Sequence, residues 1–194
     1  MNSTASTQSI AIYGHVSAHP LAVAEAFNAH VLDTVDPEST CAIFVVNPST
    51  GIDQASIDLW QAIDEFQTPR IVVVTHLENQ EADFDDAITL ANRVFDHMAT
   101  PYLVLHDDIG VPCALISMAT LQITDYTTDP PMERACDPEH ETLVQEFRDE
   151  YLELTSAMGE GAFAAGVLFP AIPLWIQKGI GVDIVHHFLN QIKR

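Results

Sequence analysis

The chain has 194 residues, of which 47% are hydrophobic, and its 28 Asp and Glu against 7 Lys and Arg give a formal net charge of −21 at pH 7. This length suits one domain, or one domain with an insert. The excess of acid disfavours direct binding of DNA or RNA, which depends on Lys and Arg that neutralise phosphates. No apolar run approaches the length of a membrane span, and the opening "MNSTASTQ" lacks a signal-peptide pattern, so we expect a cytoplasmic protein.

Strands and helices alternate in the first half of the chain, which predicts right-handed βαβ units and a parallel sheet. Four apolar runs are typical of buried strands: Ser9–His15, Cys41–Val46, "RIVVVTHL" and "YLVLHD". Pro20 opens the first helical pattern. That helix and the next are predicted to turn these side chains inward: Leu21, Ala24, Phe27 and Val31, then Ile57, Trp60, Ile63 and Phe66.

The pattern changes after Gly110. The stretch "VPCALISMATLQITDY" alternates as β-structure does and predicts a small antiparallel element. An acidic amphipathic helix follows, "EHETLVQEFRDEYLELTSAM", with Leu143, Phe147, Tyr151 and Leu154 predicted to face inward. The run "GVLFPAIPLWI" then predicts another core strand, and "GVDIVHHFLNQI" a closing helix.

The loop after the first strand lacks the residues that hold phosphate. A phosphate loop reads G-x-x-x-x-G-K-[ST], in which backbone N–H groups and the Lys bind phosphate and the hydroxyl binds Mg²⁺. Here the eight positions are "GHVSAHPL". Gly14 is kept, but His19, Pro20 and Leu21 replace the second Gly, the Lys and the Ser or Thr. Pro20 also removes a backbone donor.

The order of several blocks nevertheless resembles that of translational GTPases. "IAIYGHVSAHPL" is similar to their "IAIVGHVDAGKT" opening. The segment from "CAIFVVNPSTG" to "PRIVVVTHLENQEADF" resembles the elongation factor G segment that ends in "PRIVFVNKMDREGADF". "GVLFPAIPLWIQKGIGVDIVHHFL" is similar to the last strand and helix of that G domain. With gaps, the resemblance covers most of residues 9–190.

The chain departs from that family at each nucleotide motif. The guanine-reading N-K-x-D becomes "THLE", in which Thr75, His76 and Glu78 stand for Asn, Lys and Asp. "WIQ" occupies the place of the Ser-Ala that closes over guanine. About twenty residues separate His19 from Cys41, where the family carries both switch regions, the Mg²⁺-binding Thr and the hydrolytic His. Because phosphoryl transfer depends on positioning and charge stabilisation, these losses predict a pseudo-GTPase that is not an enzyme.

The resemblance implies an α/β fold: a three-layer, P-loop-NTPase-like G domain with a reduced, mainly parallel sheet and a small inserted α+β acidic subdomain. Residues 9–108 and 162–194 are predicted to form the G domain, 109–161 the insert and 1–8 a tail. The chain ends where elongation factor G continues into a β-barrel domain, so a truncated chain is one interpretation. An alternative function is a GTP-binding elongation factor-like protein, or its N-terminal fragment, acting at the ribosome.

Nine positions correspond to the nucleotide motifs: Gly14, His15, Val16, Ser17, Ala18, His19, Thr75, His76 and Glu78. We expect no cofactor there, with GTP or GDP and Mg²⁺ as the alternative. A second alternative is a metal ion at the carboxyl ends of the strands, held by His15, His19, His76 and Glu78. His106, with Asp107 and Asp108, is predicted to lie on the same rim. Cys41 and Cys113 are predicted to be inert core thiols.

Two protein-binding surfaces are predicted. On the acidic helix, Glu139, Glu146, Glu150 and Glu153 fall on one side. The resemblance implies docking of a ribosomal stalk protein there, and a solvated outer face is the competing interpretation. Loss of the switch strands would also leave Ser9–His15 as an apolar sheet edge, which predicts either cover by the tail or pairing with a second copy.

Overall fold

The computed structural model describes residues 9–79 and 82–192, which form two sheets with flanking helices. The strands are β1 (Ile10–Tyr13), β2 (His30–Val31), β3 (Cys41–Val46), β4 (Arg70–Val74), β5 (Met98–Ala99), β6 (Tyr102–His106), β7 (Pro112–Ser117), β8 (Gln122–Asp125), β9 (Met132–Ala135) and β10 (Phe169–Pro173). The α-helices are α1 (Pro20–Phe27), α2 (Gln54–Ile63), α3 (Phe84–Val94), α4 (Pro138–Met158) and α5 (Val182–Ile192). None of these helices is both long enough and apolar enough to cross a bilayer.

The larger sheet is parallel throughout, in the order β2-β1-β3-β4-β10-β5. Every residue of β1, β3, β4 and β10 is buried, as expected for a parallel sheet that helices cover on both faces. The continuous apolar runs therefore lie where the pattern predicted. The predicted α/β fold with a mainly parallel sheet is confirmed.

The prediction that "YLVLHD" forms a fourth strand of this sheet is wrong. β6 pairs with β7 in an antiparallel sheet of order β6-β7-β8-β9. The two-residue β5 lies beside β10 instead. Pro101 follows β5 and lacks an N–H for a ladder, so the chain leaves the parallel sheet there. The antiparallel element predicted from residues after Gly110 is confirmed, and the sheet that contains it begins at Tyr102.

Helix α4 packs on the second sheet through a face that overlaps the predicted one only in part. Val144 is its buried side chain, in a cluster with Leu103, Ile116 and Ile123. Leu143 and Phe147, predicted to face inward, are 70% and 44% exposed. Tyr151, also predicted to face inward, is partly buried against the same cluster, and Leu154 is half-buried.

Helix α1 is shorter than predicted. It ends at Phe27 because Asn28 adopts the left-handed conformation and its N–H bonds the Ala24 carbonyl. Val23 is buried on its inner face, whereas Leu21 is 68% exposed. Val31 lies beyond the helix in β2. The inward placement of Leu21 and Val31 was therefore wrong. Phe66 is also exposed, because α2 ends at Ile63 and a 3₁₀ turn follows.

The predicted exposed edge at Ser9–His15 is also wrong. After α1 the chain returns as β2, which pairs with β1 in parallel through Ala11↔His30 and Ile12↔Val31. The four residues of β1 are consequently buried, and within the part of the chain that the structure describes β2 is the edge of the sheet. The predicted tail, residues 1–8, lies outside the described residues. Self-association stays a prediction, without the edge on which it was based.

Candidate functional site

The nucleotide-motif positions gather at the carboxyl end of the parallel sheet, where α/β proteins bind ligands. The segment Gly14–His19 directly follows β1, and Thr75–Glu78 directly follows β4. The Trp175–Gln177 segment, after β10, lies beside them on one shallow cavity. The topology thus brings together the three segments that stand where the family's nucleotide motifs would be.

The loop after β1 is folded on itself as a 3₁₀ turn over Val16–Ala18. The Ser17 N–H donates to Nδ1 of His15 at 3.2 Å. The Ala18 N–H donates to the His15 carbonyl at 2.9 Å, and the His19 N–H to the Val16 carbonyl at 3.1 Å. Pro20 comes next and has no N–H. Three of the donors that would wrap a phosphate are thus engaged within the loop.

Side chains from neighbouring strands fix this closed turn. The Asn47 side-chain amide, buried after β3, donates to the Ser17 carbonyl at 2.9 Å. The buried Thr75 hydroxyl donates to the Ala18 carbonyl at 3.0 Å. The Ser17 hydroxyl lies 2.8 Å from the Thr50 hydroxyl. The carbonyls of the turn therefore also have partners, as buried polar groups require.

Gly14 has a packing role at the end of β1. A Cβ at this position would lie 2.6 Å from the Val45 carbonyl oxygen, and its φ is +152°. Only glycine allows the backbone of β1 to approach β3 so closely. The one retained glycine of the phosphate motif therefore has a structural reason to be glycine that does not involve phosphate.

Two histidines, His19 and His76, line the cavity and pack against each other. The rings of His19 and His76 lie 4.6 Å apart, tilted by 55°, and both residues have positive φ. Nδ1 of His76 lies 3.0 Å from the Thr75 hydroxyl oxygen. His76, which stands for the Lys of N-K-x-D, is thus packed against the residue that stands for the second Gly of the phosphate loop.

The cavity at which the three segments meet is small. It measures about 70 Å³ and is lined by side chains that include His19, His76, Glu78 and Gln177. Small-molecule sites usually measure about 300–1,000 Å³. The Lys178 ammonium nearby lies over the Trp175 ring, 4.2 Å from its centroid. This cavity is well below that range, so it does not by itself enclose a nucleoside.

The predicted metal ligands do not form a metal site. Among residues 9–79 and 82–192, no group of three His, Cys, Asp or Glu side chains is arranged to hold an ion. His15 caps the 3₁₀ turn with Nδ1. His106 was predicted on the same rim, but it ends β6 and so belongs to the antiparallel sheet. His19 and His76 instead pack against each other with their rings tilted, and Glu78 lines the same cavity.

Partial burial lowers the pKa of His76, and the adjacent His19 lowers it further, while Glu78 acts in the opposite direction. The neutral imidazole is thus favoured in the folded protein. Burial also raises the pKa of the Cys41, Cys113 and Cys136 thiols. High thiol pKa values suppress the nucleophilic thiolate, in line with the inert thiols predicted for Cys41 and Cys113.

The depressed pKa of His76 predicts a pH dependence of stability. Below the ordinary value of 6.5 the unfolded chain binds a proton that the folded protein resists, so the free energy of unfolding falls as pH falls through this window. Urea unfolding between pH 7.5 and 5.5 checks this. His76→Asn, which tolerates positive φ, is expected to flatten the curve. An unchanged slope would contradict the assignment to His76.

Sequence reasoning missed the polar residues that close the turn and the apolar residues beside it. The signal for Asn47 was its position directly after a buried strand, where a polar side chain meets the neighbouring loop. Val16, Leu21 and Val31 are exposed next to the turn. Leu21 and Val31 were assigned to a buried helix face, so no pattern marked them as surface.

The chain is similar to known proteins over most of its length. It is 29% identical over 163 aligned residues to the elongation factor G-like protein of Mycobacterium tuberculosis, in the sequences of both strain H37Rv and strain CDC 1551. The alignment covers 73% of this chain and 22% of that relative, so the chain spans about a fifth of its length. No protein-family profile matches.

The fold has a counterpart among solved structures. A crystal structure of a Thermus thermophilus protein superposes on 80% of this chain, and 27% of its own, with a TM-score of 0.69 and 21% sequence identity. That level of identity supports the fold alone. In sequence and in fold together, the chain therefore has an elongation factor G-like G domain, in which other residues replace the nucleotide motifs.

Proposed function

We propose that this protein is a cytoplasmic pseudo-GTPase: a non-catalytic relative of elongation factor G-like proteins that binds and regulates other proteins, without a resident cofactor. The observation that carries the proposal is the closed turn after β1. The N–H groups of Ser17, Ala18 and His19 all donate within it. A phosphate would have to break these bonds, and no Lys follows to compensate.

Charge supports the same proposal. A nucleoside triphosphate is strongly anionic, and the chain carries −21 at pH 7 with no Lys or Arg before Arg70. Glu78 lines the cavity at the carboxyl ends of the strands. A bound Mg²⁺ would need oxygen ligands, and Leu21 stands where the phosphate loop supplies a hydroxyl. The alternative is a GTP-binding translation factor. The sequence likeness supports it, but the charge and the residues at the motif positions do not.

The acidic stripe on α4 is the proposed contact for a partner of the ribosomal stalk kind. Glu139, Glu146, Glu150 and Glu153 are all exposed, on the side of the helix opposite the buried Val144. Glu150 lies 3.5 Å from the ring of His97, and the other three acids point to solvent. Such a stripe suits a basic partner surface.

Restoring two phosphate-loop residues is expected to leave the protein unable to bind nucleotide. The double variant Pro20→Lys, Leu21→Thr returns a Lys and a hydroxyl to their motif positions. The N–H groups of the turn would still be bonded within it, because the hydrogen bonds made by His15, Asn47 and Thr75 are unchanged. Fluorescence of a labelled GDP, with Mg²⁺ present, measures binding.

A functional translational GTPase under the same conditions is the positive control, and circular dichroism reports that the variant folds. Weak or no GDP binding by the variant supports a loop closed by its own hydrogen bonds. Tight, Mg²⁺-dependent binding would mean that the two side chains alone were missing, and that the closed turn opens readily.

A further inference from the structure

An apolar surface lies beside the closed turn, at the edge of the parallel sheet. We call it the edge patch and define it as Val16, Leu21 and Val31. These side chains are 73%, 68% and 36% exposed. They border an open groove of about 480 Å³, whose lining is almost entirely apolar. Isolated exposed apolar residues are ordinary, whereas these three border one groove.

The open strand next to the patch can pair with another chain. β2 has β1 on one side, and among residues 9–79 and 82–192 no strand pairs with its other side. The Leu32 N–H bonds the Ile12 carbonyl. Because backbone groups alternate along a strand, the N–H and C=O of Val31 face the open side. An extended segment that pairs with Val31 would lay its side chains along the groove.

The charge around the edge patch selects the partner. Residues 1–69 contain no Lys or Arg. Their acidic residues are Glu25, Asp33, Asp36, Glu38, Asp53, Asp58, Asp64 and Glu65. Two of them are close to patch residues along the chain: Glu25 lies one helical turn after Leu21 and Asp33 lies two residues after Val31, and both are exposed. An acidic rim around an apolar groove is complementary to a basic segment with an apolar centre.

A second copy of the chain fits this surface poorly. It would bring the same acidic rim against itself, and two chains of net charge −21 repel each other. We propose that the edge patch binds an extended, Lys- and Arg-flanked segment of another protein, which inserts apolar side chains between Val16, Leu21 and Val31. This inference rests on the proposed protein-binding role and names a partner class and a surface for it.

The test uses synthetic peptides labelled with fluorescein. The probe KRKLVLKRK carries a basic rim and an apolar centre, and the comparison KRKSGSKRK keeps the charge without the centre. Fluorescence anisotropy at near-physiological salt measures their binding to the full chain. The variant Leu21→Ser is paired with Leu143→Ser, because Leu143 is a helix residue of almost equal exposure, 70% against 68%, on α4.

Expected are binding of KRKLVLKRK, much weaker binding of KRKSGSKRK, and a loss of about tenfold (about 1.4 kcal/mol) in Leu21→Ser, since the bound segment would bury part of that leucine. Leu143→Ser should bind like the wild type. If Leu21→Ser does not fold, Val16→Ser, at a site 73% exposed, takes its place.

Several results would overturn the inference. These are equal binding of both peptides, wild-type affinity in Leu21→Ser, a loss caused by Leu143→Ser instead, no binding of the probe, or a dimer in sedimentation that Leu21→Ser dissociates. Nucleotide binding is measured separately, so the two proposals fail independently. A protein that binds the probe and also binds GTP would keep the edge patch and lose the pseudo-GTPase assignment.

Discussion

Replacing Gly14 with alanine is expected to destabilise the protein by about 2–4 kcal/mol. The new Cβ would lie 2.6 Å from the Val45 carbonyl oxygen, which belongs to the backbone of a central strand and cannot move aside cheaply. The positive φ of +152° adds strain for any residue with a Cβ. Urea unfolding of the variant and the wild type measures the difference.

Gly179→Ala is the matched control. Gly179 also has a positive φ, +72°, but a Cβ there meets nothing within 4 Å. Its replacement should cost about 1 kcal/mol, the conformational part alone. If Gly14→Ala costs no more than Gly179→Ala, the close approach of β1 to β3 does not explain why this glycine is present. A role in a phosphate loop would then be the better explanation for Gly14.

The second large effect is expected at Arg70, whose side chain is 1% exposed. Its guanidinium donates to the Trp60 carbonyl at 3.0 Å and to the Asp64 carboxylate at 2.6 Å. It also lies over two adjoining rings, 4.6 Å from the centroid of Trp60 and 4.4 Å from that of Phe169. One side chain thus joins α2, β4 and β10.

Arg70→Ala is expected to lower the free energy of unfolding by about 3 kcal/mol or more, because it leaves a cavity and an unpartnered Trp60 carbonyl. Arg70→Met keeps much of the packing and should cost less. Asp64→Asn should cost under about 1 kcal/mol, because the Asp64 side chain is 67% exposed and solvent weakens its charge interaction. Urea unfolding of all three variants measures these differences. A loss in Asp64→Asn as large as that in Arg70→Ala would show that the ion pair, rather than the ring and carbonyl contacts, stabilises this region.

The parallel sheet was predictable because its strands are buried on both faces and read as continuous apolar runs. Cys41–Val46 is one such run, and its predicted bounds equal those of β3. Tyr102–His106 reads the same way but buries only part of its length in the second sheet. An apolar run identifies a buried strand without stating which sheet buries it, so the topology needed the structure.

The surface was harder to predict for a related reason. Leu143 and Leu21 occupy helical positions that a periodic pattern assigns to a core, yet both are exposed. In α4 the buried side chain is Val144, one residue after Leu143. Helix α1 ends at Phe27, so Val31 is not part of it. Helix periodicity locates an apolar stripe to within about one residue. One residue corresponds to about 100° around the helix, so an error of this size assigns an exposed side chain to the core.

In the candidate site, the sequence predicted which segments meet but not what they do there. The motif positions follow β1 and β4, so their convergence follows from strand order. The closing of the turn depends on Asn47 and Thr75 hydrogen bonds across 30 and 57 residues, which no local pattern reveals. The presence of His19 and Pro20 where the motif has Gly and Lys indicated only that phosphate-binding residues were missing.

Calorimetric titration of the purified protein with GTP and GDP, with and without Mg²⁺, tests the pseudo-GTPase assignment most directly. The closed turn, the cavity of about 70 Å³ and the absence of Lys and Arg from residues 1–69 predict no heat of binding at high protein concentration in any of the four titrations. Micromolar binding that requires Mg²⁺ would contradict the assignment, since it would require the turn to open and recruit metal ligands from elsewhere in the chain.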